Sequence, residues 1–414
     1  MERFEADYVI ETAYPLAEAA AAMAGEQSSG TFLPVPGETE ELKARAAARV
    51  LAIEDLGPVA GPSLPGAGKA QGPHRRARVT LDWPLANIGP SLPNLLATVA
   101  GNLFELKYFS GLRLVDLRLP DAFAARYGGP AFGIAGTRAL TGVAGRPLIG
   151  TIIKPSVGLS AEETAAMVDQ LCAAGIDFIK DDELQSDGPA CRFEDRARAV
   201  MAVINRHADR TGRKVMFAFN LTGEVDEMAA RHDLVAALGG TCVMVSLNSV
   251  GLAGFTALKR VARLPIHAHR NGWGALSRHP ALGFDYPAWA KLWRVAGADH
   301  LHVNGIRNKF CESDASSIAS ARSLLTPMSA GAPCLTMPVF SSGQSAAQAH
   351  ETWAALGSVD LIHAAGGGIM AHPQGPAGGV ESLRAAWDAA VAGVPLAQAA
   401  RENRALGAAL GLFA

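Results

Sequence analysis

The chain has 414 residues, of which 49% are hydrophobic and 18% are charged, and its formal net charge is −2 at pH 7. This balance gives no indication of a nucleic-acid partner or of binding to an acidic membrane surface, and no apolar run reaches the ~18 residues of a membrane-spanning helix. The first residues are charged and lack the apolar segment of a secretory signal, and the five cysteines form no C-x-x-C pair. We therefore expect a reduced, cytoplasmic protein, whose length suits either two ordinary domains or a small domain and a barrel-sized one.

Residues 1–135 are predicted to form an α+β domain. Apolar and β-branched residues, or their alternation with charged ones, predict strands at 7–15, 48–56, 76–84 and 111–120. Residues 91–104 have the apolar spacing of a helix, and the Gly- and Pro-rich segment 57–74 predicts an exposed loop. This combination is typical of a small ferredoxin-like domain.

Residues 136–414 show another pattern, in which short apolar runs alternate with helical stretches. The runs lie at 146–155, 175–183, 214–223, 240–248, 264–273, 298–305, 332–343 and 359–368. Residues 160–175 illustrate the helical stretches, with Ser160 as the predicted N-cap and Glu163 three residues further on. Eight strand–helix units predict an α/β domain of the parallel (β/α)8 TIM barrel type. A doubly wound sheet is the main alternative, and the count of eight favours a closed barrel.

Polar residues or glycines end most of these runs, where the active site of such a barrel is built. They are Lys154, Lys180, Asp181, Asp182, Glu183, Asn220, His267, His269, Arg270, His302, Ser341, Ser342, Gly343, Gly366, Gly367 and Gly368. A single histidine in such a place would most simply be structural. Folding alone, however, gives no reason for ionisable groups at the same end of so many strands, so the pattern predicts an active site.

The segment "KDDE" at residues 180–183 indicates a metal site. Successive side chains of a strand point to opposite faces, so Lys180 and Asp182 face one way, and Glu183 can turn in beyond the strand end. Carboxylate oxygens are the ligands that Mg²⁺ prefers. The simpler alternative is a lysine–carboxylate ion pair that caps the strand.

Two Gly-rich segments follow the last two predicted strands. "PVFSSGQS" begins at Pro338 and "AAGGGIM" at Ala364. In a barrel of this type, backbone N–H groups of such segments bind phosphate, although Gly-rich turns are an equally simple explanation for each segment alone. Together with Arg270 and His302 elsewhere on the rim, they predict a phosphorylated substrate.

These residues, in this order, resemble the large subunit of ribulose-bisphosphate carboxylase (RuBisCO) along nearly the whole chain. "GTIIKPSVGLS" and "GIDFIKDDE" are similar to two signature segments of that family, and Lys180 lies 26 positions after Lys154, as it does there. The resemblance implies that CO2 carbamylates Lys180. The carbamate would then hold one Mg²⁺ together with Asp182 and Glu183.

The resemblance also implies roles for other residues. Lys154 and His269 match acid/base residues, Arg270 and His302 match contacts to one phosphate, and Lys309 matches the lysine of the mobile loop after the sixth strand. Matches to the remaining phosphate and hydroxyl contacts are Ser341, Gly343, Gly366 and Gly367. In the N-terminal domain, the matching residues are Glu26, Thr31 and Asn102, which in that family complete the site of the neighbouring subunit and thus imply a homodimer or a larger homo-oligomer.

Several positions depart from the carboxylase pattern. The second lysine of its "KPK" segment is Ser156 here, a tryptophan is Phe32, a glycine is Ser342, and the loop that carries Lys309 differs. Without the cation at position 156, less charge stabilisation is available for a carboxylated intermediate. The pattern resembles that of the RuBisCO-like proteins, which do not fix CO2 but keep the metal and the proton-abstraction step.

Two reactions fit this resemblance. The favoured one is a retro-Claisen type hydrolysis or carboxyl transfer on a branched, phosphorylated keto acid such as 3-oxo-isoapionate 4-phosphate. The other is the enolisation of 2,3-diketo-5-methylthiopentyl 1-phosphate or the isomerisation of 5-methylthioribulose 1-phosphate, as in methionine salvage. A catalytically inactive regulatory protein is disfavoured, because Lys154, Lys180, Asp182, Glu183 and His269 are all present.

Overall fold

The structure, a computed structural model, describes residues 2–30, 35–68 and 72–413. The chain forms two compact units, one of Met1–Gly128 with Gly272–Ala296 and the other of Gly129–Asn271 with Gly297–Ala414. The N-terminal segment of the first unit extends to residue 128, whereas the sequence analysis placed the boundary at residue 135. The first unit also takes in a segment that the sequence analysis placed in the barrel domain.

The secondary-structure elements of the described residues follow in chain order. The N-terminal part contains β1 (Arg3–Thr12), α1 (Leu16–Glu26), α2 (Glu40–Ala46), β2 (Arg49–Pro58), β3 (Arg75–Pro84), α3 (Leu92–Val99), β4 (Gly111–Arg118) and α4 (Asp121–Tyr127). The next part contains α5 (Gly133–Thr141), β5 (Leu148–Ile152), α6 (Ala161–Ala173), β6 (Phe178–Lys180), α7 (Phe193–Thr211), β7 (Met216–Asn220), α8 (Val225–Ala237), β8 (Cys242–Ser246), α9 (Leu247–Val261) and β9 (Ile266–His269). The last part contains α10 (Trp273–Ser277), β10 (Leu282–Phe284), α11 (Tyr286–Ala296), β11 (His300–Asn304), α12 (Asp314–Leu325), β12 (Met337–Ser341), α13 (Ala349–Leu356), β13 (Ile362–Ala364), α14 (Gly366–Met370), α15 (Gly375–Ala392), α16 (Leu396–Glu402) and α17 (Arg404–Phe413).

The first unit is built on one five-stranded sheet of order β10-β4-β1-β3-β2. Strands β1 to β4 pair antiparallel, and with α1 and α3 between them they give the predicted ferredoxin-like arrangement. Phe4, Ala6, Tyr8 and Ile10 of β1 alternate along the strand and are fully buried, because β1 lies in the centre of the sheet. The fifth strand, β10, joins the edge beside β4 in parallel.

The second unit is a closed barrel of eight strands, β5, β6, β7, β8, β9, β11, β12 and β13, in which all neighbours are parallel. Each strand lies inside one of the eight apolar runs, so the predicted TIM barrel is confirmed. Helix α6 begins as predicted, because the Ser160 hydroxyl accepts from the Glu163 backbone N–H and the Glu163 carboxylate accepts from that of Ser160.

Apolar side chains fill the inside of this barrel. The buried cluster contains Val143, Leu148, Phe178, Met216, Ala218, Cys242, Met244, Met337, Val339, Ile362 and Ala364. Since the interior is packed, ligands have access to the barrel at the carboxyl ends of its strands, which we call the rim. Among the described helices, none is long and apolar enough to cross a lipid bilayer.

Candidate active site at the barrel rim

Strand β6 ends in the "KDDE" segment. Because successive side chains of a strand point to opposite sides, Asp181 and Asp182 point in opposite directions. The Asp181 carboxylate turns away from Lys180, lies 3.3 Å from the Arg196 guanidinium and accepts from the backbone N–H of Asn220 at 2.9 Å. The side chains of Asp181 and Arg196 are both fully buried. Asp181 therefore anchors the end of β6 to α7 and β7, and Asp182 is left to the rim.

The predicted ligands Lys180 and Glu183 lie side by side, and the third, Asp182, pairs with Lys154. Lys180 Nζ donates to the backbone oxygen of Asp181 at 2.8 Å and lies 3.5 Å from Glu183 Oε2, and Lys154 Nζ donates to Asp182 Oδ2 at 2.6 Å. Burial lowers the pKa of Lys180 from its ordinary value, although the charges of Glu183 and Asp182 oppose this effect. Because CO2 reacts with an uncharged amine, burial makes Lys180 suited to carbamylation.

The ligand set fits Mg²⁺ only if Lys180 carries an anionic group. Among the described residues, no three His, Cys, Asp or Glu side chains are placed to hold a metal ion together. Asp182 and Glu183 supply two carboxylates, and a carbamate on Lys180 would add a third oxygen ligand of the kind that Mg²⁺ prefers.

His269 lies beside this set at the end of β9. Its Nε2 is 3.4 Å from Glu183 Oε2, and its Nδ1 accepts from the backbone N–H of Asn271 at 3.2 Å. Burial lowers the pKa of His269 to about 4, so the ring is neutral at pH 7. Since Nδ1 is an acceptor, the single ring hydrogen lies on Nε2, where it can be donated to a negatively charged oxygen.

A chain of hydrogen bonds runs through the barrel interior beside His269. Thr137 Oγ1 lies 2.7 Å from His300 Nε2, and the Nδ1 atoms of His300 and His267 are 3.4 Å apart. The Nε2 atoms of His267 and His302 are 2.7 Å apart, and His302 Nδ1 lies 3.1 Å from Ser341 Oγ. Burial lowers the pKa values of all three rings, that of His300 to about 3, so the chain is uncharged at neutral pH.

A second network joins the carboxyl ends of β9, β11 and β12. Arg270 Nη2 donates to Glu312 Oε2 at 2.8 Å, and the Asn304 amide donates to the same oxygen at 2.7 Å. Ser342 Oγ donates to Asn304 Oδ1 at 2.8 Å. Ser342 has φ +72°, a left-handed conformation that is uncommon for a residue with a side chain, and this hydrogen bond helps to hold it.

The Gly-rich segments lie near two lysines of the rim. A β-carbon built on Gly366, the first residue of α14, would lie 3.9 Å from Lys154 Cε, and one built on Gly367 would meet no atom within 4 Å. A β-carbon on Gly343 would lie 3.5 Å from Lys309 Cβ. The Lys309 backbone N–H donates to the Ser342 oxygen at 3.1 Å, and its side chain is exposed.

In the first unit, two of the three predicted inter-subunit residues meet. The Asn102 amide lies 3.5 Å from Glu26 Oε1, and both side chains are exposed. Thr31 lies outside the described residues.

Sequence reasoning missed Arg196 and Glu312. Arg196 is one of several arginines on α7, and its buried contact with Asp181 has no local signal. Glu312 is 42 positions from Arg270, so their pairing depends on the barrel fold. A functional role of Glu312 could have been suspected only because the residue lies in the loop that departs from the carboxylase pattern.

Residues 133–413 match the catalytic domain of the ribulose bisphosphate carboxylase large chain, and residues 6–123 match its N-terminal domain. The protein therefore belongs to the RuBisCO large-chain family. A RuBisCO-like protein from Burkholderia fungorum has the same fold, with a TM-score of 0.94, 50% identity and 100% coverage of both chains.

Two relatives give a closer position within the family. The chain is 59% identical over 412 residues to a 3-oxo-isoapionate-4-phosphate transcarboxylase/hydrolase of Xanthobacter autotrophicus, with 100% of this chain and 99% of that protein covered. It is 45% identical over 408 residues to a 3-oxo-isoapionate-4-phosphate decarboxylase of Rhizobium rhizogenes, with 98% and 97% covered. The protein is thus an enzyme of the RuBisCO-like branch.

Proposed function

We propose that this enzyme is a transcarboxylase/hydrolase of 3-oxo-isoapionate 4-phosphate in sugar-acid catabolism. The observation that carries the proposal is two groups of contacts at the rim. Lys154 pairs with Asp182 at 2.6 Å, and Glu183 lies 3.5 Å from Lys180 and 3.4 Å from His269. Full-length identity of 59% to the Xanthobacter autotrophicus enzyme supports the choice of substrate.

The cofactor in this proposal is Mg²⁺, held by the carbamate of Lys180 and by Asp182 and Glu183. Bound there, the ion would polarise a substrate carbonyl and stabilise negative charge on its oxygen. Lys154 lies beside Asp182, so its cation can neutralise charge at the same place. Its Nζ also donates to Ser156 Oγ at 2.8 Å, which fixes the lysine head towards the ligand set.

The substrate chemistry explains why such a group is needed. In a 3-oxo acid, the bond between C2 and the carboxyl carbon breaks when the electron pair of that bond moves towards the C3 carbonyl oxygen. The enolate oxygen formed in this way needs hydrogen-bond donors and positive charge around it. His269 Nε2–H and the Lys154 ammonium supply these from the chain itself. When CO2 is attached again at another carbon, water can cleave the new keto acid into two shorter acids.

We assign the phosphate to the Gly-rich part of the rim. A β-carbon on Gly367 would meet no atom within 4 Å, so an oxyanion has space close to the backbone there; Gly366 precedes it, and Lys309 adjoins Gly343. Phosphate next to Gly366 places the reacting carbons within reach of Lys154, because the two residues are close. The substrate is thereby oriented along the rim from these glycines towards His269.

The proposal includes a cytoplasmic homodimer. By resemblance to the family, Glu26, Thr31 and Asn102 of one subunit would complete the site of the partner. The contact between Glu26 and Asn102 supports a common role for these two residues.

The second candidate is simple decarboxylation of the same substrate, which the 45% identical relative favours. Both reactions begin with cleavage of the same bond, and they differ in the fate of the CO2. The methionine-salvage reactions remain an alternative with less support from the relatives. An inactive regulatory protein is disfavoured by the complete group at the rim.

Substrate labelled with ¹³C in its carboxylate tests the proposal. The transcarboxylase/hydrolase consumes one water and retains the label in a phosphorylated carboxylic acid, whereas a decarboxylase consumes one proton and releases labelled CO2. Both products are distinguished by ¹³C NMR. Release of the label as CO2 would favour the second candidate, and the absence of any product would contradict both. In that case, turnover of a methylthio-sugar phosphate would support the methionine-salvage alternative.

A further inference from the structure

The positive charge of Arg270 is already paired. Its partner Glu312 accepts from Arg270 at 2.8 Å and from Asn304 at 2.7 Å, and its other oxygen accepts from Ser316 at 2.8 Å. The Arg270 and Glu312 side chains are 7% and 15% exposed, so solvent screens this pair weakly. A phosphate dianion at Arg270 would therefore lie beside a fixed carboxylate and be repelled by it.

The histidine chain determines which way the Ser341 hydroxyl points. Thr137 donates its hydroxyl hydrogen to the Gly133 carbonyl oxygen, so it must accept from His300 Nε2–H. In a neutral chain, each ring then donates in one direction, His267 to His300 and His302 to His267.

At the rim, two protein acceptors face the Ser341 hydroxyl. His302 Nε2 donates to His267, so its Nδ1 is an acceptor 3.1 Å from Ser341 Oγ, and the Val303 backbone oxygen lies 3.4 Å from the same hydroxyl. With either acceptor, the hydroxyl hydrogen is used within the protein. Ser341 therefore presents lone pairs, and not a hydrogen, towards a ligand. Phosphate is itself an acceptor, whereas an alcohol can donate to such an oxygen.

We propose that the rim around Arg270, His302 and Ser341 is a hydroxyl subsite that binds the uncharged end of a sugar monophosphate and disfavours a second phosphate. From the carboxylase resemblance, Arg270 and His302 were expected to contact a phosphate; in this proposal they bind a hydroxyl group instead. The inference rests on the proposed function, in which the single phosphate lies at Gly343, Gly366 and Gly367. It makes Glu312 a specificity-determining residue, because its carboxylate neutralises Arg270.

Binding measurements with two probes test the charge argument. In the presence of Mg²⁺ and bicarbonate, isothermal titration calorimetry compares ribulose 5-phosphate with ribulose 1,5-bisphosphate. We expect the wild type to bind the bisphosphate no more than about threefold more tightly than the monophosphate, since repulsion by Glu312 offsets the attraction of the second phosphate to Arg270. Glu312→Gln should tighten the bisphosphate relative to the monophosphate by about tenfold or more, the ordinary effect of a charge-assisted contact.

Two further variants show whether the gain arises at Arg270. Glu351→Gln is the matched control, because Glu351 is an exposed glutamate that pairs with Arg307, and its loss changes the net charge equally. It should leave the ratio of the two dissociation constants unchanged. In the double variant Arg270→Gln/Glu312→Gln, the gain should disappear.

Ser341→Ala tests the hydrogen-bond direction separately and also applies if Glu312→Gln does not fold. The wild type should bind ribulose 5-phosphate more tightly than 1-deoxyribulose 5-phosphate, which lacks the terminal hydroxyl, by about fivefold or more. Ser341→Ala should abolish this preference.

The hydroxyl subsite is refuted if the wild type binds the bisphosphate more than about threefold more tightly than the monophosphate. It is also refuted if Glu312→Gln leaves the ratio of the two dissociation constants unchanged, or if Glu351→Gln changes that ratio equally. It is also refuted if the wild type binds ribulose 5-phosphate and 1-deoxyribulose 5-phosphate equally tightly. These measurements do not depend on turnover. If the binding measurements give the expected ratios of dissociation constants but the enzyme does not convert 3-oxo-isoapionate 4-phosphate, only the proposed function is overturned.

Discussion

Replacing Arg196 by methionine tests how the end of β6 is held in place. Arg196 and Asp181 are fully buried and 3.3 Å apart, at which distance two unit charges attract by about 5 kcal/mol at an effective dielectric constant of 20. Methionine fills similar volume but leaves the Asp181 carboxylate buried without its partner. Removal of one member of a buried pair costs ~3–5 kcal/mol, and we expect a loss of this size in the free energy of unfolding.

The assay is urea unfolding followed by fluorescence. The free energies of unfolding are compared between variants whose dependence on urea concentration has the same slope. Arg198→Met is the matched control, because Arg198 lies two residues further along α7 and forms an exposed i,i+4 pair with Glu194 at 2.6 Å. This substitution should cost ~0.5 kcal/mol or less. The double variant Arg196→Met/Asp181→Asn should recover a large part of the loss, since the buried charge is gone.

A functional consequence accompanies the change in stability. Lys180 Nζ donates to the Asp181 backbone oxygen, so a displaced Asp181 also displaces the lysine. Arg196→Met should therefore weaken Mg²⁺ binding, measured in the presence of bicarbonate, whereas Arg198→Met should not. Equal losses of stability in the two variants would refute the argument.

Three other predictions concern the site and the first unit. Lys180→Ala should abolish bicarbonate-dependent Mg²⁺ retention and turnover together, and full turnover in the variant would contradict the ligand assignment. The enzyme should not fix CO2 onto ribulose bisphosphate, because Ser156 is a neutral hydroxyl where the carboxylase resemblance implies a cation, and removal of one preorganised electrostatic donor typically costs about 10²–10³ in rate. Incorporation of radiolabelled bicarbonate at the rate of a true carboxylase would contradict this. Burial by itself would raise the pKa of Asp82, but hydrogen bonds from Arg49 and Arg3 lower it. The resulting stabilisation is present above the unfolded pKa of ~3.9 and is lost as the pH falls through the lower pKa of the folded state. In Asp82→Asn, the midpoint of urea unfolding should therefore fall less than in the wild type as the pH is lowered through this range.

The barrel could be predicted because its signals are local. Each strand is an apolar run of its own, and Ser160 with Glu163 marks the start of α6 through neighbours in sequence. The alternation of a strand also placed Lys180 and Asp182 on one side and Asp181 on the other. Local geometry was sufficient for these features.

Other features depend on distant parts of the chain. Strand β10, with the three residues Leu282–Phe284, is too short to show alternation and exists because β4 has an edge to pair with. The pairing of Arg270 with Glu312 arises when the loop after β11 folds over the end of β9. The sequence therefore predicted which residues lie at the rim but not which of them neutralise one another.

The place of β10 in the first unit affects how that unit can be made. The Leu112 backbone N–H donates to the Ala281 oxygen, the Asp285 N–H donates to the Leu114 oxygen, and the Arg113 guanidinium donates to the oxygens of Leu282 and Phe284. Synthesis of the chain reaches these partners only after five of the eight barrel strands. A fragment that ends at residue 128 would leave the β4 edge unpaired and Arg113 without these acceptors, so the first unit is not a separable module despite its early position in the sequence.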